Sequence, residues 1–209
     1  MFRVPACFVI AIALLPRPAA HAAEAQGDPE VTVLVYNDAQ IPDAVLTLAE
    51  EQATRIFHQT GIRTQWMDCF AMKVQLGLHC TAIRGPRVFM LRIVPKTSRF
   101  NEIVFGAAYL ASDTGGKYAD VFYDRVERMH SEWRASLASL LGCVAAHEIG
   151  HLLLGSNSHA PLGIMRAHWQ AKEIQQMSMG LLVFSPRQAA QMRAGLEAAD
   201  ALRLNVPGK

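Results

Sequence analysis

The strongest constraint on how this chain can fold is the stretch from Trp133 to Leu154. It is predominantly apolar, yet it carries His147, Glu148 and His151 near its end. Residues three and four apart share one face of an α-helix. Leu140, Val144, His147 and His151 therefore form one continuous stripe on a helix buried by its apolar residues. Polar groups on an inward face are costly unless satisfied. Either the two histidines are hydrogen-bonded on a wetter face, or the helix delivers both imidazoles to one shared partner. Two imidazoles a turn apart can converge on a single cation at about 2.0–2.1 Å each. Glu148 lies on the neighbouring flank, placed to accept a proton rather than to ligate.

The pattern His147-Glu148-Ile149-Gly150-His151 thus predicts a metal-assisted hydrolytic centre. A bound divalent ion acidifies a water and polarises a carbonyl, and Glu148 would take that water's proton and return it to the leaving amine. Zinc in a catalytic site has three protein ligands and one open position. Gly155 can turn the chain, and Ser156-Asn157-Ser158 can bring His159 back to the helix as the third ligand. Two other residues compete for that place: His168, and Glu173, which lies 22 residues after His151.

The segment HEIGHLLLGSNSHAPLGIM resembles the metzincin metallopeptidases. In that family a helix with two histidines is followed by a glycine turn, a third histidine and a methionine-bearing turn beneath the metal. The Gly163-Ile164-Met165 triplet is similar to that Met-turn, with Met165 as its methionine. The family's usual spacing is H-E-x-x-H-x-x-G-x-x-H. Here Gly155 is four residues after His151 rather than three, and His159 four after Gly155 rather than three; the extra helical residue adds about 1.5 Å of rise. The resemblance implies an α/β (α+β), zincin-like fold, with a mixed twisted sheet packed on an N-terminal helix and on the helix of His147 and His151, and with a C-terminal helix. It also implies one catalytic Zn2+ on His147, His151 and His159, Glu148 as catalytic base, and a peptide or protein substrate. An edge strand above the metal, here Asn101 to Ala111, would bind the substrate in extended form; the plain alternative is a core strand. Some members carry a tyrosine just after the Met-turn. Here Arg166-Ala167-His168-Trp169 stands in that place.

Elsewhere the pattern predicts strands over Val31–Tyr36, Ile62–Met67, Arg87–Val94 and Tyr118–Tyr123. Helices are expected over Asp43–Thr60, over Trp133–Leu154 with Ser131 as N-cap, and from Pro186 to about Leu204 after Ser185. The stretch between Met165 and Ser185 reads as a loop whose Met177, Met179 and Leu181 could line a specificity pocket or sit in the core. Tyr118, Asp120, Tyr123 and Asp124 read as strand and turn residues, with orientation of a ligand as the alternative. His58, His79 and His130 read as surface groups.

The N-terminus has the form of an export signal. Arg3 precedes an apolar run from Ala6 to Leu15, and Ala20-His21-Ala22 supplies the cleavage pattern. Residues 1–22 are therefore read as a signal peptide, 23–30 as a flexible leader, and 31–209 as one catalytic domain in a secreted or periplasmic protein. The apolar run is short for a membrane span. Losing Arg3 and Arg17 would lower the basic count from 20 to match the 18 acidic residues. That leaves no basic stripe for nucleic acid and no patch for stable membrane association. Export permits disulfides: Cys69 and Cys80 flank an irregular excursion and form the expected pair, while Cys143 is expected to be a buried, inert thiol.

The function expected is thus a secreted zinc metallopeptidase, most simply an endopeptidase. A zinc hydrolase of non-peptide amides or of cell-wall peptides, or a non-catalytic zinc-containing binding domain, would show the same motif.

Overall fold

The computed structural model describes residues 27–70, 80–97, 104–110 and 117–204. The expected signal peptide, half of the leader, His79, and positions 101–103 and 111 of the expected edge strand lie outside the described residues.

Five strands form one mixed sheet in the order β2-β1-β3-β5-β4. They are β1 (Glu30–Asn37), β2 (Arg63–Asp68), β3 (Val88–Val94), β4 (Gly106–Tyr109) and β5 (Tyr118–Phe122). β1 pairs in parallel with β2 and β3, and β3 in parallel with β5. Only β4 runs antiparallel, with Gly106 opposite Val121 and Tyr109 opposite Tyr118. Val31, Val33 and Val35 of β1 are fully buried, as expected where β-branched side chains pack on a pleated surface covered by helices.

Helix α1 (Asp43–His58) connects β1 to its parallel neighbour β2 and buries Leu46, Ala49, Ala53, Ile56 and Phe57. It lies against α3 (Leu137–Leu154), which is buried from Leu140 to Leu153. Gly142 makes that crossing close: a Cβ there would stand 2.4 Å from the Ala49 carbonyl oxygen. By length and composition α3 could cross a membrane, but 78% of it is buried inside the protein, so it is a core helix. On the other face of the sheet, Leu34 packs with Cys69 and Cys80, whose disulfide is formed as expected. Cys143 is a buried free thiol, and burial pushes its pKa up to about 12, so it is inert as read.

Two expectations about helices are corrected. The long helix does not start at Trp133 behind Ser131. Helix α2 (Tyr123–Trp133) follows β5 directly and turns Arg125, Val126 and Met129 inward. Arg134 then adopts φ 51°, and Ser136, not Ser131, caps α3 by accepting from the Ser139 N–H. The chain after Met165 is not only loop. It contains α4 (Ala171–Ser178), opened by a capping box between Gln170 and Glu173. Helix α5 (Pro186–Leu204) begins as expected, with Ser185 Oγ accepting from the Gln188 N–H at 3.3 Å. The arrangement is the α/β one expected: a mixed sheet on an N-terminal helix and the motif helix, with a helix at the C-terminal end.

Candidate metal centre

The motif lies in the penultimate turn of α3, below the β4 end of the sheet. His147, Glu148 and His151 are 8%, 5% and 4% exposed. The Nδ1 of His147 meets the Ile164 carbonyl at 2.7 Å, and that of His151 meets the Ser156 carbonyl at 2.8 Å. A carbonyl only accepts, so each Nδ1 carries the proton and donates. Both Nε2 atoms are then bare lone pairs, and they face each other at 3.0 Å. Two acceptors at that distance repel unless a cation lies between them.

A third imidazole arrives from the loop. Gly155, at φ 62°, ends α3 as expected. The Ser158 N–H then bonds Ser156 Oγ, and the Ala160 N–H bonds the Met165 carbonyl. These bonds fold the chain back so that the ring of His159 stands 5.4 Å from His147 and 5.0 Å from His151. One ligand atom from each of the three lies within 4.8 Å of the others. Nitrogens around one tetrahedral zinc at 2.0–2.1 Å would be about 3.4 Å apart. A small inward movement of the exposed His159 closes the difference. Burial, then the neighbouring His151, pushes the His147 pKa down to about 3. Burial also lowers those of His151 and His159. Neutral imidazoles are the form that ligates.

Glu148 is held at the side of this cluster. Burial first, and the Asp120 carboxylate second, raise its pKa to about 8. Gly106 of β4 makes room for it, since a Cβ there would stand 2.6 Å from both Cγ and Oε1 of Glu148. Asp120 accepts from Tyr118 at 2.5 Å and from Tyr109 at 3.0 Å. Of the four residues weighed as orienting groups, Asp120 thus influences Glu148 directly and Tyr118 does so through Asp120. Asp124 is instead engaged with Arg125.

Met165 is fully buried beneath the helix. A Cβ on Gly150 would stand 3.0 Å from its Sδ and 2.6 Å from the Phe184 ring, so the methionine turn presses on α3 between the two histidines. The rival ligands are placed elsewhere. Glu173 bonds Arg166 at 2.8 Å and the Gln170 N–H at 3.0 Å. His168 borders the cavity and acts on His159 electrostatically, outside the three-histidine cluster. His58 is exposed, and His130 Nδ1 meets the Ala135 carbonyl at 2.5 Å.

A cavity of about 500 Å³ opens over the cluster. Val104 to Tyr109 bound it on one side, and Arg166 to Trp169 supply further wall. β4 lies at the end of the strand order and pairs only with β5 in the described sheet, so the expected edge strand is present at Gly106–Tyr109. Of the two readings for the later segment, Met177 takes the core one, while Met179 and Leu181 take neither, being 55% and 59% exposed and outside the cavity wall. Sequence reasoning missed Gly106, Gly150 and Trp169. A glycine inside an apolar strand does signal close approach by another group, and Gly106 fits that rule.

Site and fold together define a three-imidazole cation site with a buried carboxylate beside it, in a cavity under a sheet edge. No family model matches the sequence, and no curated protein matches it. Among solved structures, the chain is similar to the archaemetzincin of Methanopyrus kandleri, with 15% identity, a TM-score of 0.48, and coverage of 84% of this chain and 99% of that one.

Proposed function

We propose that this protein is an exported zinc-dependent peptidase that cleaves peptide bonds of an extended substrate. One observation carries the reading: two buried Nε2 lone pairs, each fixed by a carbonyl behind the ring, face each other at 3.0 Å beside Glu148. Nitrogen ligands in a tetrahedral set of three suit zinc and leave one position open, which supports catalysis over a closed structural site. When bound, the ion supplies Lewis acidity toward a carbonyl oxygen and toward a water.

The remaining steps belong to the chain itself. His147, His151 and His159 hold the ion. Glu148 takes a proton from the attacking water at its carboxylate oxygen and delivers it to the departing amine nitrogen. Asp120, with Tyr109 and Tyr118, fixes the negative charge next to Glu148. β4, which ends the strand order among the described residues, would offer main-chain groups to an extended peptide. The formed disulfide and the Arg3–Ala22 pattern support export.

The test is metal content followed by activity. Purified protein should hold one zinc per chain and cleave members of a peptide library. Chelation should remove the activity and added zinc restore it. Cleavage that survives full metal removal would overturn the proposal.

A further inference from the structure

Among the described residues that border the cavity, Arg166 is the only lysine or arginine. Its backbone is tied to the metal centre. The Arg166 N–H bonds the Gly163 carbonyl at 3.1 Å, closing the turn. Two residues earlier, the Ile164 carbonyl accepts from His147 at 2.7 Å and from the Trp169 indole at 3.1 Å. Two peptide units span at most about 7.6 Å between Cα atoms, so the Arg166 backbone stays close to a ligand-bearing side chain.

Its side chain is fixed by a dedicated partner. Nη1 donates to Oε1 of Glu173 at 2.8 Å. Glu173 is fully buried, and its other oxygen accepts from the Gln170 N–H at 3.0 Å. The capping box accounts for the second bond but requires no arginine. Nor does the ion pair by itself justify a buried carboxylate, because desolvation offsets most of the attraction. What the pair does achieve is to hold a planar guanidinium at the cavity wall. The Arg166 side chain remains 28% exposed, and among the described residues Glu173 is its one hydrogen-bond partner. The fork is left with N–H donors to offer, and its geometry matches a carboxylate. Asp120 lies toward the β4 and β5 edge and would repel a carboxylate there, which favours the Arg166 wall as its seat.

We propose that Arg166 is a specificity-determining residue that receives a carboxylate of the substrate near the bond to be cleaved. The inference rests on the peptidase reading above. The carboxylate can come from a substrate's C-terminus or from an acidic side chain.

The experiment uses the zinc-loaded protein and two pairs of peptides. One pair ends in a free carboxylate or in its amide. The other is amide-ended and carries glutamate or glutamine at successive positions. The carboxylate member of at least one pair should be favoured by about 10- to 100-fold in kcat/KM. The pair that responds identifies the source. Replacing both partners, Arg166→Gln with Glu173→Gln, avoids a lone buried charge. That variant should lose the preference, with kcat/KM for the acid falling 10- to 100-fold further than for the amide. Arg166→Lys keeps the charge opposite Glu173 and should lose part of the preference. No preference in the parent protein, or equal losses on acid and amide, would reduce Arg166 to a structural staple and overturn the proposal. Calorimetry of the same peptides on zinc-loaded Glu148→Gln separates the two readings. Discrimination in binding without any hydrolysis by the parent protein would sink the peptidase and leave the anchor standing. Hydrolysis without discrimination would do the reverse.

Discussion

Two buried glutamates, Glu148 and Glu173, sit on neighbouring segments and are driven to opposite charge states. Burial alone would raise both pKa values. At Glu148 in the metal-free protein, Asp120 adds a like charge to the effect of burial, and the value reaches about 8. At Glu173, burial is outweighed by the Gln170 N–H and by Arg166, and the pKa falls below the ordinary carboxylate value. Depth in the protein therefore does not decide the role of a carboxylate; the donors around it do. Glu173 is favoured as the anion that organises Arg166 and the start of α4, whereas Glu148 is left able to gain and lose a proton beside the three histidines.

The largest expected effect comes from removing that freedom. Glu148→Gln should lower kcat by on the order of 10²–10⁴-fold, with metal content by atomic absorption unchanged. An active variant would end the assignment of Glu148 as base. Next, Gly106→Ala would push a methyl group into Glu148 Cγ and Oε1. A displacement near 1 Å in such a site costs on the order of 10²-fold, so kcat should fall while zinc binding persists. Equal activity would show that Glu148 has more room than its contacts imply. Glu173→Gln should leave Glu148 chemistry in place but destabilise the fold by about 2–3 kcal/mol in urea denaturation, since a charge-assisted bond is lost.

The smallest effect is in the pH dependence of the metal-free protein. Glu148 has a raised pKa in the folded state, so its contribution is present below pH 4.5 and is lost as pH climbs toward about 8. His147 is lowered, so its contribution is lost in the other direction, as pH falls from 6.5 toward about 3. Between pH 6.5 and 8 the Glu148 effect stands clear. There the parent protein should lose up to about 1.4 kcal/mol per pH unit relative to Glu148→Gln. Parallel stability curves would contradict the raised pKa.

Much of this was legible in the sequence because it is local. The two histidines a turn apart, Gly155 as a helix stop, the Ser185-Pro186 start and the Cys69–Cys80 pair are each set by a few neighbouring residues. What escaped depends on contacts between distant segments or on weak local signals. α2 was not expected and the start of α3 was placed at Trp133 rather than Leu137; the true boundary rests on a left-handed Arg134 and the Ser136 cap. α4 is only eight residues long and its capping box uses glutamine, an unusual N-cap, so it read as loop. The need for glycine at Gly106 arises from a side chain 42 positions later; a glycine in an apolar strand signals a close approach but not which group makes it.

The tight seat of Gly150 also limits how such a chain can drift. The space that a side chain would need is already filled by the Phe184 ring and the Met165 sulfur. A descendant with alanine at this place would have to trade Phe184 for something smaller at the same time, so these two positions are expected to change together or not at all.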